Sequence, residues 1–498
     1  MKTLICISFA LLISIFSTAQ NNHKILSPNQ MQQDLSILYS SWINLHPGLY
    51  RYNAPEDIRQ SFKVLNSKCT DSLDARKFYL LLSQLAQTIK CGHTYLNPLN
   101  LSKESQAIVL PLKYIIPLFF EVLSEKRIII THNPTSNNAI ERGDEIISIN
   151  NIATKRIIDS LLTVSRSDGK NSIGKKINNI NETPDEADAY SLFDIYFPLF
   201  FPTKSSKFKI EIRKYGSQKR YIYNLEAETL NERINAYENK FGKVSVGERT
   251  WDYKILNKNT AYAKFGTFAF WNSEFNEERY VDSIFINLLK KPEIKNLIID
   301  IRGNEGGDNT GNYILSYVTS KKIGCDDPDR TCYRYQKIPD SLLKYLDTWD
   351  NSFKKPKDTT KYFLNEIGLY EENNTANSCD YINPKPSRFK GKVYLLINAK
   401  NSSAGYEMAR NFRTAKIGKI VGETTGGSQQ GINGGEFFFL QLPNSKLEID
   451  LPLIYAYHPN KPDQGIIPDY EIKITQKDIK NNKDPQLAFV LHLIDINK

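Results

Sequence analysis

The sequence predicts a multidomain α/β protein, and three successive changes in its pattern lead to this prediction. Residues 27–99 carry apolar residues at intervals of three and four, which is typical of amphipathic helices. Residues 108–226 change to short runs of β-forming residues. Residues 251–475 alternate apolar strands with glycine-rich turns and helix starts, which is typical of an α/β sheet with functional loops at its strand ends.

The N-terminus predicts an exported protein. One basic residue, Lys2, precedes an apolar run over 4–16, and the small residues Ser17 and Ala19 follow at the spacing that a signal peptidase reads. Because this run is shorter than the roughly 20 residues of a spanning helix, we expect 1–19 to be a signal peptide, with a membrane anchor as the alternative. The mature chain is then periplasmic or secreted, with no integral membrane segment after cleavage.

The length of the chain predicts several domains. Removal of the signal leaves about 479 residues (498 − 19), which is too long for one hydrophobic core. The expected units are an N-terminal helical domain (20–100), a β-rich domain (101–226), a linker (227–250), a catalytic α/β domain (251–475) with an insertion at about 320–388, and a C-terminal tail (476–498).

Composition narrows the possible partners and cofactors. The net charge is +10, but lysine and arginine are scattered among acidic residues with no long basic block, so no nucleic-acid partner is expected. Five cysteines remain after signal removal, and an odd number argues against a disulfide framework, although Cys325 and Cys332 are close enough in sequence to pair. No cysteine or histidine spacing resembles a zinc site, and we expect neither a metal nor an organic cofactor.

The segment ERGDEIISINN (141–151) stands apart in the β-rich part of the chain. Gly143 and Asp144 form a turn before an alternating strand, and a helical pattern follows. This segment resembles the "GDxIxxIN" turn and strand of PDZ domains, which bind extended peptide ends by adding a strand to a sheet edge. The resemblance implies a PDZ-like domain over 101–226.

Four motifs occur in order in the third stretch. They are DIRGNEGG (300–307), NSSAGYE (401–407), VGETTGG (421–427) and GIIPDYEI (465–472). Together they resemble the signatures of the tail-specific (C-terminal processing) protease family. The resemblance implies a catalytic domain of the tail-specific protease type and a serine peptidase that cleaves peptides or protein C-terminal regions through an acyl-enzyme. Its substrates would be peptides or unfolded proteins.

A serine at a sharp turn between a buried strand and a helix is exposed to substrate and lies where helix N–H groups favour negative charge. Ser402 and Ser403 both meet this criterion. The family register selects Ser403, which Ala404 follows, and Glu423 then lies 20 residues further on (423 − 403), as in the family.

The oxyanion of the acyl-transfer reaction also needs donors. The expected oxyanion hole combines the N–H of Ala404 with that of Gly306 or Gly307, since glycines allow a backbone to approach a substrate closely.

The catalytic base is where the sequence departs from the Ser-Lys members of the family. Their lysine follows the nucleophile by 25 residues, and Ser428 occupies that position here (428 − 403). The segment GHTYL (92–96) instead resembles the histidine site of the Ser-His branch, which includes the tricorn core protease. This resemblance implies His93 as the base, with His458 as the second choice, and Asp463 as the carboxylate that orients it.

Two other functions fit the same sequence. The missing lysine allows a catalytically weak or inactive family member that binds peptides through the PDZ-like domain. A hydrolase of non-peptide esters on the same fold is the second alternative.

Overall fold

The structure is a computed structural model that describes residues 24–98, 102–110, 112, 114–170, 172–186, 189–203, 205–271, 273–324, 330–373 and 381–496. The predicted signal peptide (1–19) and Cys325, one member of the possible Cys325–Cys332 pair, lie outside these residues, whereas Cys332 is buried in β12. The chain forms a mixed α/β structure with three six-stranded sheets and one two-stranded sheet among the described residues.

The N-terminal part is mainly helical. Its elements are β1 (Ile25–Leu26), α1 (Pro28–Leu45), α2 (Pro55–Ser67), β2 (Leu73–Asp74), α3 (Ala75–Gln87) and α4 (Lys103–Val109). Helix α1 begins at a capping box, in which Ser27 and Gln30 satisfy each other's free backbone N–H groups. Its apolar face is buried through Leu35, Leu38, Trp42 and Leu45.

The middle part of the chain contains β-strands, as the sequence predicts for residues 108–226. Its elements are β3 (Phe119–Leu123), β4 (Arg127–His132), β5 (Glu145–Ile149), β6 (Ile152–Ala153), α5 (Thr154–Leu162), α6 (Ile173–Asn178), α7 (Leu192–Phe200), β7 (Lys207–Arg213), β8 (Arg220–Glu226) and α8 (Leu230–Phe241). Strands β3, β4, β5, β7 and β8 pair in that order, antiparallel throughout, and β6 adds to β5. The turn at Gly143 has a φ of +85°, as a glycine before a tight strand entry allows.

The C-terminal half holds the remaining elements. They are β9 (Trp251–Asn257), β10 (Thr260–Phe265), α9 (Glu277–Leu289), β11 (Asn296–Asp300), α10 (Thr310–Ser316), β12 (Arg330–Tyr333), α11 (Asp340–Leu343), β13 (Leu346–Asp347), β14 (Tyr362–Leu364), β15 (Tyr370–Glu372), β16 (Lys392–Ile397), α12 (Ser403–Thr414), β17 (Lys419–Gly422), β18 (Asn433–Gln441), β19 (Glu448–Tyr457), β20 (Tyr470–Glu471), α13 (Gln476–Lys480) and α14 (Pro485–Ile496).

One sheet of this half has the order β20-β17-β16-β11-β10-β9. All of its neighbours are parallel except β9, which pairs with β10 antiparallel. Strands β11 and β16 are buried and lie side by side, with Asp300 opposite Leu396. The loops that follow these two strands therefore meet at one edge of the sheet, where α/β folds place their functional residues.

The sequence predicts the insertion between α10 and β16 as a surface excursion or a lid of the catalytic domain. Its strands β12 to β15 join β18 and β19 in a second antiparallel sheet, with the order β13-β18-β19-β12-β15-β14. The β18–β19 turn contacts the N-terminal helices, since the fully buried Asp34 of α1 accepts from the N–H groups of Asn444 and Ser445 at 3.0 and 2.8 Å. The insertion is thus part of the packed structure.

The two segments that the sequence predicts as a linker and a C-terminal tail both contain helices. Helix α8 lies in the expected linker, and its Arg233 is buried against Asp194 and Glu182 at 2.7 and 3.2 Å. Helix α14 lies in the expected tail and packs its apolar side on the parallel sheet. No helix among the described residues combines the length and apolar character that crossing a bilayer requires.

Candidate active site

The predicted nucleophile lies at the first residue of α12, directly after the buried strand β16 and a short turn. Ser403 has a φ of +49°, the left-handed conformation that non-glycine residues rarely adopt. Such strain is retained where the surrounding structure enforces it, and a strained strand-to-helix turn is how α/β hydrolases present a nucleophilic serine. Ser403 is half-buried, whereas Ser402 is buried.

Two asparagines hold this turn against the glycine-rich loop after β11. The buried Asn401 donates from Nδ2 to the carbonyl oxygens of Ile301 and Asn304. Asn304 is buried as well, and it donates to the Phe265 carbonyl at 3.0 Å while its Oδ1 accepts from the Gly306 N–H at 2.8 Å. The sequence motifs contain both asparagines, but their role as the link between the two loops became visible only in the fold.

The glycine-rich loop approaches the nucleophile very closely. A Cβ atom on Gly306 would lie 2.7 Å from the Ser403 Cβ and 2.8 Å from the Ala404 nitrogen, so no larger residue fits. Because the Gly306 N–H is donated to Asn304, Gly307 is the better of the two candidate oxyanion donors. Neither the Gly307 N–H nor the Ala404 N–H has a protein acceptor among the described residues.

His93 lies in the loop after α3, and three contacts fix that loop. Thr94 shares a hydrogen bond of 2.7 Å with Nε2 of the buried His46, which caps the end of α1. The Tyr95 carbonyl accepts from the Asp450 N–H of β19 at 3.0 Å. Tyr79 of α3 donates to the Leu96 carbonyl at 3.2 Å. The predicted base is therefore held on the N-terminal helices and the second sheet, and not on a free loop.

The ring of His93 packs on the start of β18. Its atoms lie 3.5 to 3.7 Å from the place that a Cβ on Gly434 would take, and its centroid lies 5.7 Å from that of Phe437. Burial lowers the pKa of His93, and the neighbouring Asp168 carboxylate opposes this shift. The ring is thus held in the neutral form that can accept a proton.

The carboxylate beside His93 belongs to Asp168, which the sequence did not single out. Asp168 is 3% exposed, and its Oδ1 accepts from the Gly92 N–H at 2.8 Å. A ligand atom of His93, one of Asp168 and the sulfur of Cys91 lie within 4.8 Å of one another. Asp168 is 75 residues from His93 in sequence (168 − 93), so only the fold brings them together.

Asp463, the predicted orienting carboxylate, contacts other groups. It accepts from the Tyr52 hydroxyl and the Ser428 hydroxyl, each at 2.8 Å, and from the N–H of Lys170 at 3.2 Å; Arg51 lies 3.3 Å away. Because Lys170 directly follows the segment that carries Asp168, Asp463 fastens that segment. The position of the lysine in Ser-Lys members, Ser428, is part of this same cluster.

A group of charged side chains links the nucleophile turn to the histidine loop. The Nζ atom of Lys175, 2% exposed, lies 3.0 Å from the Ser402 hydroxyl and 3.5 Å from the Glu305 carboxylate. Glu305 also pairs with Arg166 at 2.8 Å, and Arg166 lies over the ring of Tyr95 at 4.3 Å. Although burial acts to raise the pKa of Glu305, Lys175 and Arg166 lower it to about 2.

No hydrogen bond joins the Ser403 hydroxyl to His93 within the described part of the chain. A general base must come within hydrogen-bond reach of the hydroxyl, or be joined to it by one water, when substrate is bound. The second-choice histidine, His458, follows β19, where its backbone N–H donates to the Gln430 carbonyl.

Glu423, 20 residues after Ser403, lines a cavity of about 780 Å³ that Lys175 and Lys400 also border.

Asp300 and Arg302 support the glycine-rich loop from behind. Arg302 donates to both Asp300 oxygens and to Asp484, which precedes α14, and the Tyr262 hydroxyl donates to Asp300 at 2.7 Å. Burial acts to raise the pKa of Asp300, but Arg302 holds it below its usual value. These contacts of Asp300 and Arg302 organise the loop.

Residues 259–472 match the model of peptidase family S41. The match identifies a serine-type peptidase. It includes all four sequence motifs and lies within the expected catalytic domain, while the N-terminal helices and the sheet of the middle part lie outside it. A search of curated proteins found no match.

Solved structures are similar to this chain over most of its length. Mature CPAF complexed with lactacystin superposes with a TM-score of 0.63 at 14% identity, covering 94% of this chain and 97% of that chain. Mature CPAF alone gives 0.59 at 13% identity, covering 91% and 94%. The photosystem II D1 C-terminal processing protease gives 0.40 at 14% identity, covering 89% and 93%. The two CPAF structures indicate a shared fold.

Proposed function

We propose that the chain is an exported serine peptidase that cleaves peptides or protein C-terminal regions through an acyl-enzyme at Ser403. One observation carries the assignment of the nucleophile: Ser403 is held at a φ of +49° against Gly306, at the start of a helix and next to the Ala404 N–H, for which the described part of the chain offers no acceptor. This arrangement presents a hydroxyl to substrate and supplies donors for an oxyanion.

His93 acts as the general base in this proposal. It takes the proton of the Ser403 hydroxyl while Oγ attacks the substrate carbonyl carbon. The carbonyl oxygen becomes an oxyanion held by the N–H groups of Ala404 and Gly307. Collapse of this intermediate breaks the C–N bond, and His93 returns the proton to the leaving amine. Water then attacks the acyl-enzyme by the same route, which restores the Ser403 hydroxyl.

Asp168 orients the base and stabilises its protonated form, since its carboxylate lies beside the His93 ring. Asp463 acts one step further away by holding the segment after Asp168. The predicted role of Asp463 is therefore proposed here as a positioning role.

A Ser402–Lys175 pair is the rival catalytic arrangement, because the Lys175 nitrogen lies 3.0 Å from the Ser402 hydroxyl and burial lowers the pKa of Lys175. Two features favour Ser403. Ser402 is buried and donates to the Glu305 carbonyl at 3.3 Å, whereas Ser403 is half-buried and has the strained conformation.

A fluorophosphonate probe separates these arrangements, since it forms a stable adduct only with an activated serine. Intact mass measurement should show one adduct on the mature chain and on Ser402→Ala, and none on Ser403→Ala. The reverse result would show that Ser402 is the nucleophile and would favour Lys175 as its base. An unlabelled wild-type chain would favour the inactive, peptide-binding alternative.

Substrate class needs its own measurement. Cleavage of an unfolded protein, followed by mass spectrometry of the products, should depend on Ser403. A chain that is labelled by the probe and hydrolyses simple esters, but leaves unfolded proteins intact, would instead be the ester hydrolase of the second alternative.

A further inference from the structure

The loop that carries the proposed base also carries a second set of donors. Cys91, His93 and Asp168 each offer one ligand atom, and these three atoms lie within 4.8 Å of one another. A thiolate, an imidazole and a carboxylate are the ligands that zinc takes in proteins. This group could not be predicted from the sequence, because Asp168 is far from the other two residues along the chain.

Two of these residues hold buried polar atoms that lack a partner. The Asp168 Oδ2 atom and the His93 Nδ1 atom are inaccessible to solvent and have no hydrogen bond among the described residues. Asp168 and Cys91 are 3% and 2% exposed. Buried polar atoms without partners are rare in folded proteins and call for an explanation such as an ion.

We propose that Cys91, His93 and Asp168 bind a zinc ion and that the bound ion reversibly inhibits the peptidase. This inhibition rests on the proposed role of His93. On binding, the Cys91 thiol releases its proton to solvent, and a His93 nitrogen donates its lone pair to the metal. The other His93 nitrogen then carries the ring proton and cannot accept the proton of Ser403, and the Asp168 carboxylate binds the metal in place of orienting the ring.

The geometry and charge of the group fit this ion. Zinc bonds of 2.0 to 2.3 Å place tetrahedral ligand atoms roughly 3.3 to 3.8 Å apart, so a closure of no more than about 1.5 Å from the separations of up to 4.8 Å brings the three donors into position. One thiolate and one carboxylate neutralise the two charges of the ion. Three protein ligands leave a fourth position for water, and sulfur with nitrogen favours zinc over magnesium or calcium.

Metal binding can be tested without turnover in the Ser403→Ala chain. Cobalt(II) replaces zinc in such sites and gives a thiolate charge-transfer absorption when cysteine is a ligand. We expect this absorption on titration with cobalt(II), its loss on addition of zinc, and its absence when Cys91→Ala is added. Cys69→Ala, a change at another buried free cysteine, should retain it. Absorption that persists in Cys91→Ala would overturn the site.

Because Cys91→Ala could perturb the loop, Asp168→Asn serves as a second variant. It keeps an oxygen for the Gly92 N–H but removes the ligand charge, and should weaken cobalt(II) affinity by at least about tenfold. Unchanged affinity would count against Asp168 as a ligand.

Inhibition is measured separately on the active chain. Micromolar zinc, but not magnesium or calcium, should lower turnover, and a chelator should restore it. Cys91→Ala should raise the inhibition constant at least about tenfold, while Cys69→Ala should not. Equal inhibition of Cys91→Ala and the parent would contradict the proposal even if cobalt(II) binds. If the parent chain shows no turnover at all, the proposed function is contradicted, and the cobalt(II) titration still decides whether the metal site exists.

Discussion

At the scale of single residues, the nucleophile is positioned by backbone contact. Gly306 and Ser403 come so close that any side chain on Gly306 would push against the Ser403 Cβ. Ser403 has a positive φ angle, which is strained for a serine, and Gly306 has one that glycine adopts without strain, so the glycine-rich loop can press against the serine and hold it there. The position of the Ser403 hydroxyl should therefore respond to small changes in the glycine-rich loop.

Gly306→Ala should lower kcat by about 10²-fold, since a displacement of about 1 Å at a reacting group can have that effect. Gly303→Ala is the matched control. Gly303 also has a positive φ, +85°, but a Cβ there would meet nothing within 4 Å. Steady-state kinetics should show near-parental kcat for the control. Similar losses in both variants would mean that general loop strain, and not contact with Ser403, is responsible.

The Asp168 carboxylate beside the proposed base should also influence turnover. Asp168→Asn should lower kcat by about 10²- to 10⁴-fold, because the amide cannot stabilise the protonated ring as the charge does. Asp463→Asn should have a smaller effect, since Asp463 acts through the segment after Asp168. A larger loss in Asp463→Asn, with both chains folded by circular dichroism, would return the orienting role to Asp463.

At the scale of elements, the histidine loop depends on helix α1. His46 ends this helix and bonds to Thr94, next to the proposed base. Burial, with Arg334 nearby, lowers the pKa of His46 to about 3. An unfolded chain would bind a proton at this histidine near its ordinary value of 6.5, while the folded chain would not. The contribution of His46 to stability is thus fully present above pH 6.5 and is lost as the pH falls towards 3.

His46→Gln should remove this part of the pH dependence. Between pH 6 and pH 4, one proton bound only by the unfolded state corresponds to about 1.4 kcal/mol of unfolding free energy per pH unit. Urea unfolding at several pH values should show a slope smaller by about that amount in His46→Gln. Parallel slopes for the two chains would show that His46 titrates in the folded state as well.

The elements differ in how far the sequence predicts them. Strands β11 and β16 carry apolar runs, and Gly303 follows the end of β11 by three residues and Ser402 the end of β16 by five (303 − 300, 402 − 397), so strand, turn and helix could all be read locally. Asp168 could not be found this way, because its place beside His93 depends on contacts between segments far apart in the chain. The strands of the insertion were missed because each has only two to four residues, too few for a clear alternation.

At the scale of the whole molecule, the segment that the sequence predicts as a C-terminal tail forms part of the hydrophobic core on the parallel sheet. Helix α14 buries Val490, Leu493 and Ile494 against one face of the parallel sheet. Asp484, just before the helix, pairs with Arg302 of the glycine-rich loop at 2.7 Å. The end of the chain therefore supports the same loop that contacts the nucleophile.

Ile494→Ala should lower the unfolding free energy by about 2 to 5 kcal/mol, the usual result of deleting a buried isoleucine side chain. Ile496→Ala, on the same helix but 63% exposed, should change it by no more than about 0.5 kcal/mol. Chemical unfolding of both variants measures the difference. Equal, small effects would show that α14 is not part of the cooperative core.

Turnover of an unfolded protein substrate by His93→Ala and Lys175→Met measures whether His93 or Lys175 activates the nucleophile. If His93 is the base, kcat of His93→Ala falls by about 10²- to 10⁴-fold with its circular dichroism unchanged, and Lys175→Met loses less. Near-normal turnover in His93→Ala, together with loss of activity in Lys175→Met, would exclude His93 and assign the base to Lys175.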